Sequence, residues 1–480
     1  MGQRQDTEFR RSQYGAFNTA LQTLYQDDIL QLEDRKEPFE FDDSLFEAIA
    51  SLVYENGGFD LSLLTDQAAR DLINETLRVI SMAIDSGLPH EVPETVRYAL
   101  ENNAFVFSGF KTFHSMREIG LSMVTEKGDI KPFGDFLNDV RKINQTYNHH
   151  YLYAEYNHAV GSSLMAAKWH DFEQDGDRYD LQYRTANDGK VREEHALLNG
   201  TTLPPSDPFW DKYFPPNGWN CRCTVAQVRK GKYPTSDPAM AMLRGDNCTD
   251  GIKQKMFRYN PGKTMDLFPP KHPYKKAPAE AKAIIEQVVR YEQNKALYHR
   301  LKEDSNYTDV EFDEITGGVK ATHVGHAHIT NEKERRFFDG LTGYDLECEC
   351  QDILFRMGHA AILRDESKEA VKGQALPSLD LEFNGQLVEI RNITEERKDN
   401  YGSALEAKNR HLKRFNAAHN SQADAVCLYF HDATFYSEER ILNGINYLKG
   451  IIRNEKPIRI QIKHVYCVVN GQKELIKFEI

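Results

Sequence analysis

The segment LPPSDPFWDKYFPPNGWNCRC, residues 203–223, determines how the middle of this 480-residue chain folds. It contains five prolines, two tryptophans and two cysteines, and it has neither helical nor strand periodicity. Proline restricts the backbone, and large aromatic side chains stabilise a fold most when they are buried. We therefore predict a rigid loop that packs onto a neighbouring core, and loops of this length are commonly functional or specially pinned.

The two cysteines at the end of this segment leave three interpretations open. The pattern predicts a short strand around Cys221–Val228. Cys221 and Cys223 stand two residues apart, so on this strand both side chains point to one face and can share a Zn²⁺ ion. His195, His170 and Cys248 are the candidates for further ligands. Alternatively, the thiols are buried and behave as small hydrophobic side chains. A nucleophilic cysteine with His195 as its base is the third interpretation, but no orienting group stands at a recognisable spacing.

A charged motif precedes the loop. Asp188, Arg192 and His195 follow one another at helical spacing, which predicts that they share one face of a short helix. A buried pair of Asp188 and Arg192 that clasps the loop is the structural interpretation of this motif. A clasp closed by a metal on His195, Cys221 and Cys223 is the alternative.

In order, these pieces resemble the phage head morphogenesis family typified by the F protein of phage Mu. The matching residues are Asp188, Arg192 and His195, then DPFW at Asp207–Trp210, then PPNGWNCRC at Pro215–Cys223. The resemblance extends over about residues 100–265. It implies a minor head protein that associates with the portal and other head proteins during capsid assembly. The implied location is the host cytoplasm during assembly and the virion afterwards.

The bulk composition limits the classes of protein to consider. A chain of this length exceeds one hydrophobic core, so two or three domains are expected. The net charge of -13 excludes a whole-molecule positive field for nucleic acid or anionic membrane, although it permits a local basic patch. Seven dispersed cysteines indicate a reducing compartment. No apolar run reaches the roughly 20 residues that span a bilayer, so we expect no membrane partner.

The pattern along the chain predicts a multidomain protein. We expect a mainly α N-terminal region over residues 1–110 and a loop-rich α+β head-morphogenesis module over 111–265. A proline- and lysine-rich linker with a helix follows over 266–305, and a C-terminal α/β domain occupies 306–480. Within the C-terminal domain the predicted strands are Ala360–Leu363, Leu379–Phe383, Leu387–Arg391, Ala425–Phe430 and Ile460–Val469. The predicted helices there are residues 346–357, 404–418 and 437–453.

The C-terminal domain carries a candidate catalytic hairpin. Asp380 and Glu389 stand on two alternating strands joined by Asn384-Gly385, which is a strong hairpin turn signal. Two carboxylates on neighbouring strands can hold a divalent ion, which polarises a scissile phosphate and activates water. Glu347, on the helix before the hairpin, is the candidate for a third carboxylate, with Glu349 second.

The surrounding order of elements resembles the C-terminal tRNase domain of CdiA-type contact-dependent toxins, within the PD-(D/E)xK class. This resemblance implies a restriction-endonuclease-like fold and metal-dependent cleavage of RNA with Mg²⁺ or Mn²⁺. It also implies an immunity protein as a partner. The family has lysine where this chain has Arg391, and arginine can stabilise charge but cannot act as a base. The alternative is therefore an inactive assembly module in a structural virion protein.

Basic residues on the following helix can compensate for Arg391. Lys413 is the candidate for the missing ammonium, while Lys408, Arg410 and Arg414 are candidates for binding RNA phosphates. An ordinary solvated basic helix face is the competing interpretation. Three histidines just before the domain, His323, His326 and His328, further suggest acid–base or metal chemistry.

Overall fold

The computed structural model describes residues 15–25, 37–251, 253–326, 340–366, 370–371, 374–395, 401–453 and 456–480. The chain divides into two compact units, Met1–Val289 and Arg290–Ile480. The finer boundaries at residues 110, 265 and 305 stay predictions. None of the helices in these described ranges is long and apolar enough to cross a membrane.

The N-terminal part of the first unit is helical, as predicted. Its helices are α1 (residues 15–25), α2 (Asp43–Glu55), α3 (Gln67–Gly87), α4 (Glu94–Ser122), α5 (Phe133–Asn144) and α6 (Leu152–Asp175). A π-helical segment, Gln145–Tyr151, joins α5 to α6. Asp66 caps α3 by accepting a hydrogen bond from the Ala68 amide at 2.9 Å. The apolar face of α3 is buried in one core that these helices share.

A small sheet and short helices complete the first unit. The strands are β1 (Tyr179–Arg184), β2 (Thr202–Leu203) and β3 (Thr224–Arg229), in the antiparallel order β2-β1-β3. The helices are α7 (Glu193–Ala196), α8 (Phe209–Tyr213), α9 (Pro238–Cys248) and α10 (Pro261–Thr264). The strand predicted over Cys221–Val228 begins only at Thr224. Both cysteines therefore precede the strand, which corrects the prediction that a strand aligns them.

The proline-rich segment packs as a rigid loop, as predicted. Phe209, Trp210 and Phe214 are fully buried, and Phe214 meets Trp169 of α6 edge-on with ring centroids 5.0 Å apart. The Trp210 indole donates a hydrogen bond to the Pro204 carbonyl at 3.1 Å, so the loop also closes on itself.

The segment interpreted as a linker is part of the core of the first unit. Leu267 and Phe268 are fully buried, and Phe268 stacks on Phe107 with centroids 3.7 Å apart. The Tyr274 carbonyl lies 2.9 Å from Nε2 of His114. The linker interpretation was wrong because the apolar residues between the prolines bury themselves. The helix predicted after it is α11 (Ala279–Glu303).

The second unit is built on an eight-stranded mixed sheet of order β15-β14-β11-β10-β9-β6-β5-β4. Its strands are β4 (Tyr307–Phe312), β5 (Val319–His323), β6 (Ala360–Leu363), β9 (Leu381–Phe383), β10 (Gln386–Ile393), β11 (Ala425–Phe430), β14 (His464–Val469) and β15 (Ile476–Glu479). Two separate pairs are β7 (Ala370–Val371) with β8 (Gln374–Ala375), and β12 (Ile452–Arg453) with β13 (Lys456–Pro457). The helices are α12 (Gly343–Arg356), α13 (Gly402–His419) and α14 (Glu438–Gly450).

Helices cover both faces of this sheet. Leu346 and Leu354 of α12 share a core with Val388 and Ile390 of β10. The apolar residues of α13 and α14 share a second core with the alternate residues of β11 and β14. This layered arrangement is compatible with the predicted α/β class. It also places β10 between two cores, so successive side chains of β10 face different helices.

Candidate functional site

Asp380 and Glu389 lie close together at the end of the β9–β10 ladder. Val388 pairs with Leu381, the first residue of β9, and Asp380 and Glu389 are the next residues on the two strands. The charge of Asp380 acts on the Glu389 carboxyl group. Asp380 Oδ2 also accepts a hydrogen bond from the Ile390 amide at 2.7 Å, which fixes its carboxylate against β10.

Lys408 of α13 contacts the buried acid. Its Nζ lies 2.5 Å from Oε1 of Glu389, whose side chain is only 6% exposed. Nε2 of His411 lies 3.7 Å from Oε2 of Glu389, and that oxygen has no hydrogen-bond partner although it is buried. Lys413, predicted to supply this ammonium, is exposed instead, because the helix turns it away from the sheet. The residue that meets the acid is therefore Lys408.

Further acids converge on the same place. Nε2 of His326 lies 3.2 Å from Oε2 of Glu347, and Nδ1 of His326 lies 2.8 Å from the Arg364 carbonyl. Glu366, which the sequence analysis did not identify, interacts with both Asp380 and Glu347. Its acidic neighbours are distant in sequence, so no local motif marked it.

Burial and mutual repulsion perturb these acids. Burial and the charge of Asp380 raise the pKa of Glu389 to about 8, and Lys408 opposes this rise without cancelling it. Burial and a hydrogen bond with Asp380 raise the pKa of Glu366 to about 8. Burial raises the pKa of Glu347 also, with Asp380 adding to the effect. Such clustered acids are stabilised in their ionised form by a nearby cation.

The other residues predicted for this site lie in different surroundings. Glu349 accepts hydrogen bonds from Tyr429 and His431 at 2.8 and 2.6 Å, so it belongs to a separate network. Arg391 follows Glu389 by two residues on β10 and shares its face. The exposed basic residues of α13 are Arg410, Lys413 and Arg414. Of the histidines, His323 accepts from the Gly325 amide at 3.0 Å, and His328 lies outside the described residues.

A second cluster lies in the first unit, where His195 meets both cysteines. The Sγ atoms of Cys221 and Cys223 each lie 3.6 Å from Nδ1 of His195. His195 is 3% exposed and Cys223 is 9% exposed, while Cys221 is half-buried. A left-handed residue, Asn220 with φ 53°, turns the chain just before Cys221. The turn, and not a strand, brings the two thiols to one point.

The three side chains of this cluster shift one another's pKa values. Burial lowers the pKa of His195, but hydrogen bonds to Cys221 and Cys248 outweigh burial and raise it to about 10. A hydrogen bond from Cys223 lowers the pKa of Cys221 well below its usual value, and His195 adds to that shift against burial. The pKa of Cys223 is raised in turn by the neighbouring Cys221 and by burial. The three side chains therefore interact electrostatically, and each changes the pKa of the others.

The remaining candidate ligands differ in placement. Within the described parts of the chain, one group of three or more His, Cys, Asp or Glu residues has all its possible ligand atoms within 4.8 Å of one another. It consists of His195, Cys221 and Cys223. Cys248 lies near His195 but outside that set, and the acids of the second unit do not meet this distance either. His170 lies in α6, where its Nε2 is 2.8 Å from Nε2 of Gln174. His170 does not join the cluster.

The charged motif anchors the loop, but not as predicted. Helix α7 begins at Glu193, so Asp188 and Arg192 lie outside it, and the prediction of one shared helix face was wrong. Asp188 is exposed and pairs with Arg222 at 2.5 Å, where a buried pair with Arg192 was expected. Arg192 donates instead to the Trp219 carbonyl at 2.8 Å. Both side chains still bind the cysteine-bearing loop.

A cavity of about 640 Å³ opens beside the cluster. His195, Cys221 and Cys223 all contribute to its wall. Polar and charged residues also line it, namely Asn157, Lys190, Arg192, Asn220 and Arg222, together with apolar residues such as Leu164 and Met165. The cluster is therefore accessible from one side even though two of its three residues are buried.

Comparison with known proteins locates one family in this region. Residues 132–226 match the family described as Phage Mu protein F like protein. This matched segment is therefore similar to that family, and it is called the F-like domain below. The F-like domain contains Asp188, Arg192, His195, Cys221 and Cys223, whereas the acids of the second unit lie outside the matched residues.

Two curated relatives are similar over short segments. The chain is 50% identical over 44 residues to the "Putative capsid assembly protein F" of Escherichia phage Mu, covering 9% of this chain and 10% of that protein. It is 37% identical over 68 residues to the "Mu-like prophage FluMu F protein" of Haemophilus influenzae, covering 13% of this chain and 16% of that protein. The aligned segments thus span less than a fifth of either relative. No solved structure matches the chain.

Proposed function

We propose that this chain acts in phage head assembly, with the F-like domain as the part that joins other head proteins. The observation that carries the proposal is the match of residues 132–226 to the F-like family. The relative in phage Mu is named as a capsid assembly protein, although the similarity covers only a tenth of it. We further propose the portal as the partner, host cytoplasm as the place of assembly and the virion as the destination.

The rigidity of the proline-rich loop supports a docking role. Its aromatic residues are buried in the unit, so the loop keeps one conformation without a partner. A preorganised surface loses little conformational entropy when it binds. The exposed side chains around it, including Lys190 and Arg222, then provide contacts on a fixed frame.

Deleting the gene from the phage or prophage genome that carries it tests this role. We expect loss of infectious particles, accumulation of incomplete heads on a density gradient, and rescue by the wild-type gene. Trp210→Ala should fail to rescue because it empties a buried site, while exposed Lys212→Ala, two residues away, should succeed. A normal yield of filled heads after deletion, with the chain absent from head fractions, would refute the proposal.

A second candidate function is metal-dependent cleavage of RNA by the second unit. The observation that favours it is the proximity of Asp380 to Glu389, with Lys408 paired to the Glu389 carboxylate. The order α12, β6, β9, β10, α13, β11 and a final β14-β15 hairpin agrees with the order in the toxin tRNase domains that this region resembles. That agreement supports a restriction-endonuclease-like fold.

The acids offer the oxygen ligands of a hard divalent ion, and their side chains would have to move together to hold one, since their ligand atoms do not all lie within 4.8 Å of one another in the described structure. Carboxylate oxygens are the ligands that Mg²⁺ and Mn²⁺ prefer, and the buried Oε2 of Glu389 lacks a partner. Asp380, Glu389 and Glu347 would hold such an ion, which when bound polarises a phosphate and lowers the pKa of water. Lys408 would stabilise the negative charge that develops on the phosphate, the role for which Arg391 and Lys413 were predicted. Arg410 and Arg414 remain proposed contacts to the RNA backbone.

The full chain, incubated with tRNA and Mg²⁺ or Mn²⁺, tests this activity. We expect discrete fragments that disappear with Asp380→Ala and Glu389→Gln and persist with the exposed control Glu474→Gln. Cleavage of DNA in place of RNA would correct the substrate. Absence of cleavage of either nucleic acid, or equal cleavage by all three variants, would leave the second unit as an inactive assembly module. A partner that blocks cleavage would correspond to the predicted immunity protein.

A further inference from the structure

The His195 cluster has the dimensions of a zinc site. Zinc binds thiolate sulfur at about 2.3 Å and imidazole nitrogen at about 2.05 Å in tetrahedral geometry. These bond lengths separate the sulfur and nitrogen atoms by about 3.6 Å. The two observed separations from Nδ1 of His195, to Cys221 and to Cys223, are both 3.6 Å. These separations, with all three ligand atoms within 4.8 Å of one another, match a single ion shared by the three side chains.

The ligand-bearing segments are held in place by other contacts. The Arg192 guanidinium binds the Trp219 carbonyl, two residues before Cys221. The Arg222 guanidinium, between the two cysteines, forms two hydrogen bonds with Asp188 at 2.5 and 2.8 Å. These contacts link the segment that carries His195 to the segment that carries the thiols. The three ligand atoms therefore converge because two separate segments of the chain are fixed against each other, and not because of one local turn.

The chemistry of the donor set selects the metal. Two thiolates and one imidazole form a borderline-soft set, which suits Zn²⁺ far better than Mg²⁺ or Ca²⁺. The surrounding segment is rich in loops, and structural zinc commonly stabilises regions of this kind. The acids of the second unit offer only oxygen donors, which suit a harder ion.

The fourth position distinguishes a closed site from an open one. Cys248 is buried near His195, but its sulfur falls outside the group that meets within 4.8 Å. All three members of that group line the cavity of about 640 Å³, whereas Cys248 does not line it. We propose that the F-like domain binds one Zn²⁺ through His195 Nδ1, Cys221 Sγ and Cys223 Sγ, with the fourth position open to this cavity. Water fills that position in the isolated chain.

The wild-type full chain provides a test that needs no variant. We expect one zinc per chain by elemental mass spectrometry after purification under reducing conditions. Alkylation followed by peptide mapping should show Cys221 and Cys223 protected until a chelator removes the zinc. Chain that neither carries nor takes up zinc, equal alkylation of both cysteines with and without chelator, or a Cys221–Cys223 disulfide in the reduced preparation would each overturn the proposal.

Variants then separate the three ligands from Cys248. Cys223→Ser and His195→Gln should lose nearly all bound zinc, and Cys248→Ser should keep it. With Co²⁺ in place of zinc, the sulfur-to-metal charge-transfer band scales with the number of bound thiolates. Cys248→Ser should leave the band unchanged, and an added small anion should shift the visible bands of the open site. Loss of one third of the band in Cys248→Ser would overturn the open site and replace it with a closed one.

Discussion

Replacing Lys111 by methionine should lower the unfolding free energy of the first unit by about 3–5 kcal/mol. Lys111 of α4 and Glu155 of α6 are 1% and 0% exposed, and their charged atoms lie 2.5 Å apart. Burial lowers the pKa of Lys111, while Glu155 opposes that shift. Without the ammonium, the Glu155 carboxylate keeps only the hydrogen bond from Tyr25 at 2.7 Å and is buried without a counter-charge.

The expected loss of unfolding free energy comes from the Glu155 charge that is left buried without a partner, and not from the attraction between Lys111 and Glu155. Replacing both members, in Lys111→Met with Glu155→Gln, should therefore recover a large part of the loss, because buried pairs add little net stability. Lys142 offers a matched control: it pairs with Asp139 at 3.1 Å but is 78% exposed. Lys142→Met should cost about 0–1 kcal/mol.

Tryptophan fluorescence measures this loss selectively. All three tryptophans, Trp169, Trp210 and Trp219, belong to the first unit, so the urea transition that they report is that of this unit. The midpoint should fall in Lys111→Met while the slope with urea stays constant. A midpoint no lower than that of Lys142→Met, or a double variant as unstable as the sum of its single variants, would refute the reasoning.

Three further perturbations have defined outcomes. Burial lowers the pKa of His149, but hydrogen bonds to Asp43 and Glu37 outweigh burial and raise the pKa above 6.5. The contribution of His149 to the folding free energy is therefore complete below pH 6.5 and is lost as pH rises through the folded pKa. His149→Gln should therefore destabilise the unit most at low pH in urea unfolding. Gly262→Ala places a Cβ 2.2 Å from that of Trp169 and should cost about 1–3 kcal/mol by overpacking, read from the fluorescence midpoint. The folded pKa of Glu389 is about 8 against 4.5, so the second unit should lose stability as pH rises between those values. Glu389→Gln should reduce this loss in hydrogen exchange of β11, and the part due to Glu366 should remain.

Each of these has a control in the same unit. His90 lies on the exposed surface, so His90→Gln should change the urea midpoint less than His149→Gln does. Gly134 of α5 has no heavy atom within 4 Å of an added Cβ, so Gly134→Ala should stabilise by about 0.5–1 kcal/mol, the opposite sign to Gly262→Ala. Exposed Glu474→Gln should leave the pH dependence of β11 exchange unchanged. If a variant and its control show the same change in midpoint or in pH dependence, the corresponding prediction is contradicted.

Central strands were predictable from sequence because their surroundings are simple. The residues of β11, AVCLYF, are all buried since helices cover both faces of the sheet, and an unbroken apolar run is typical of such a strand. The strand predicted from Ile460 begins only at His464. The side chain of Asn409 accepts hydrogen bonds from the Gln461 and Ile462 amides at 2.6 and 3.3 Å, so these residues bond to a side chain where a strand ladder was expected.

The candidate sites were predictable in part. The approach of His195 to Cys221 and Cys223 was anticipated from residue types alone, but the strand assigned to the cysteines was wrong because Asn220 adopts a left-handed conformation that the apolar pattern does not encode. Glu366 could not be found from sequence, because its partners come from other strands and a helix.

Lys408 could have been found by helical periodicity. Leu405, Leu412 and Phe415 form the buried stripe of α13, and Lys408 lies within that stripe while Lys413 lies opposite it. The resemblance to toxin domains predicts a lysine at position 391, where this chain has arginine. A side chain on a strand and a side chain on a helix can both reach the same buried acid. Arg391 therefore does not by itself leave the acid cluster without an ammonium, because Lys408 of α13 places one 2.5 Å from Glu389.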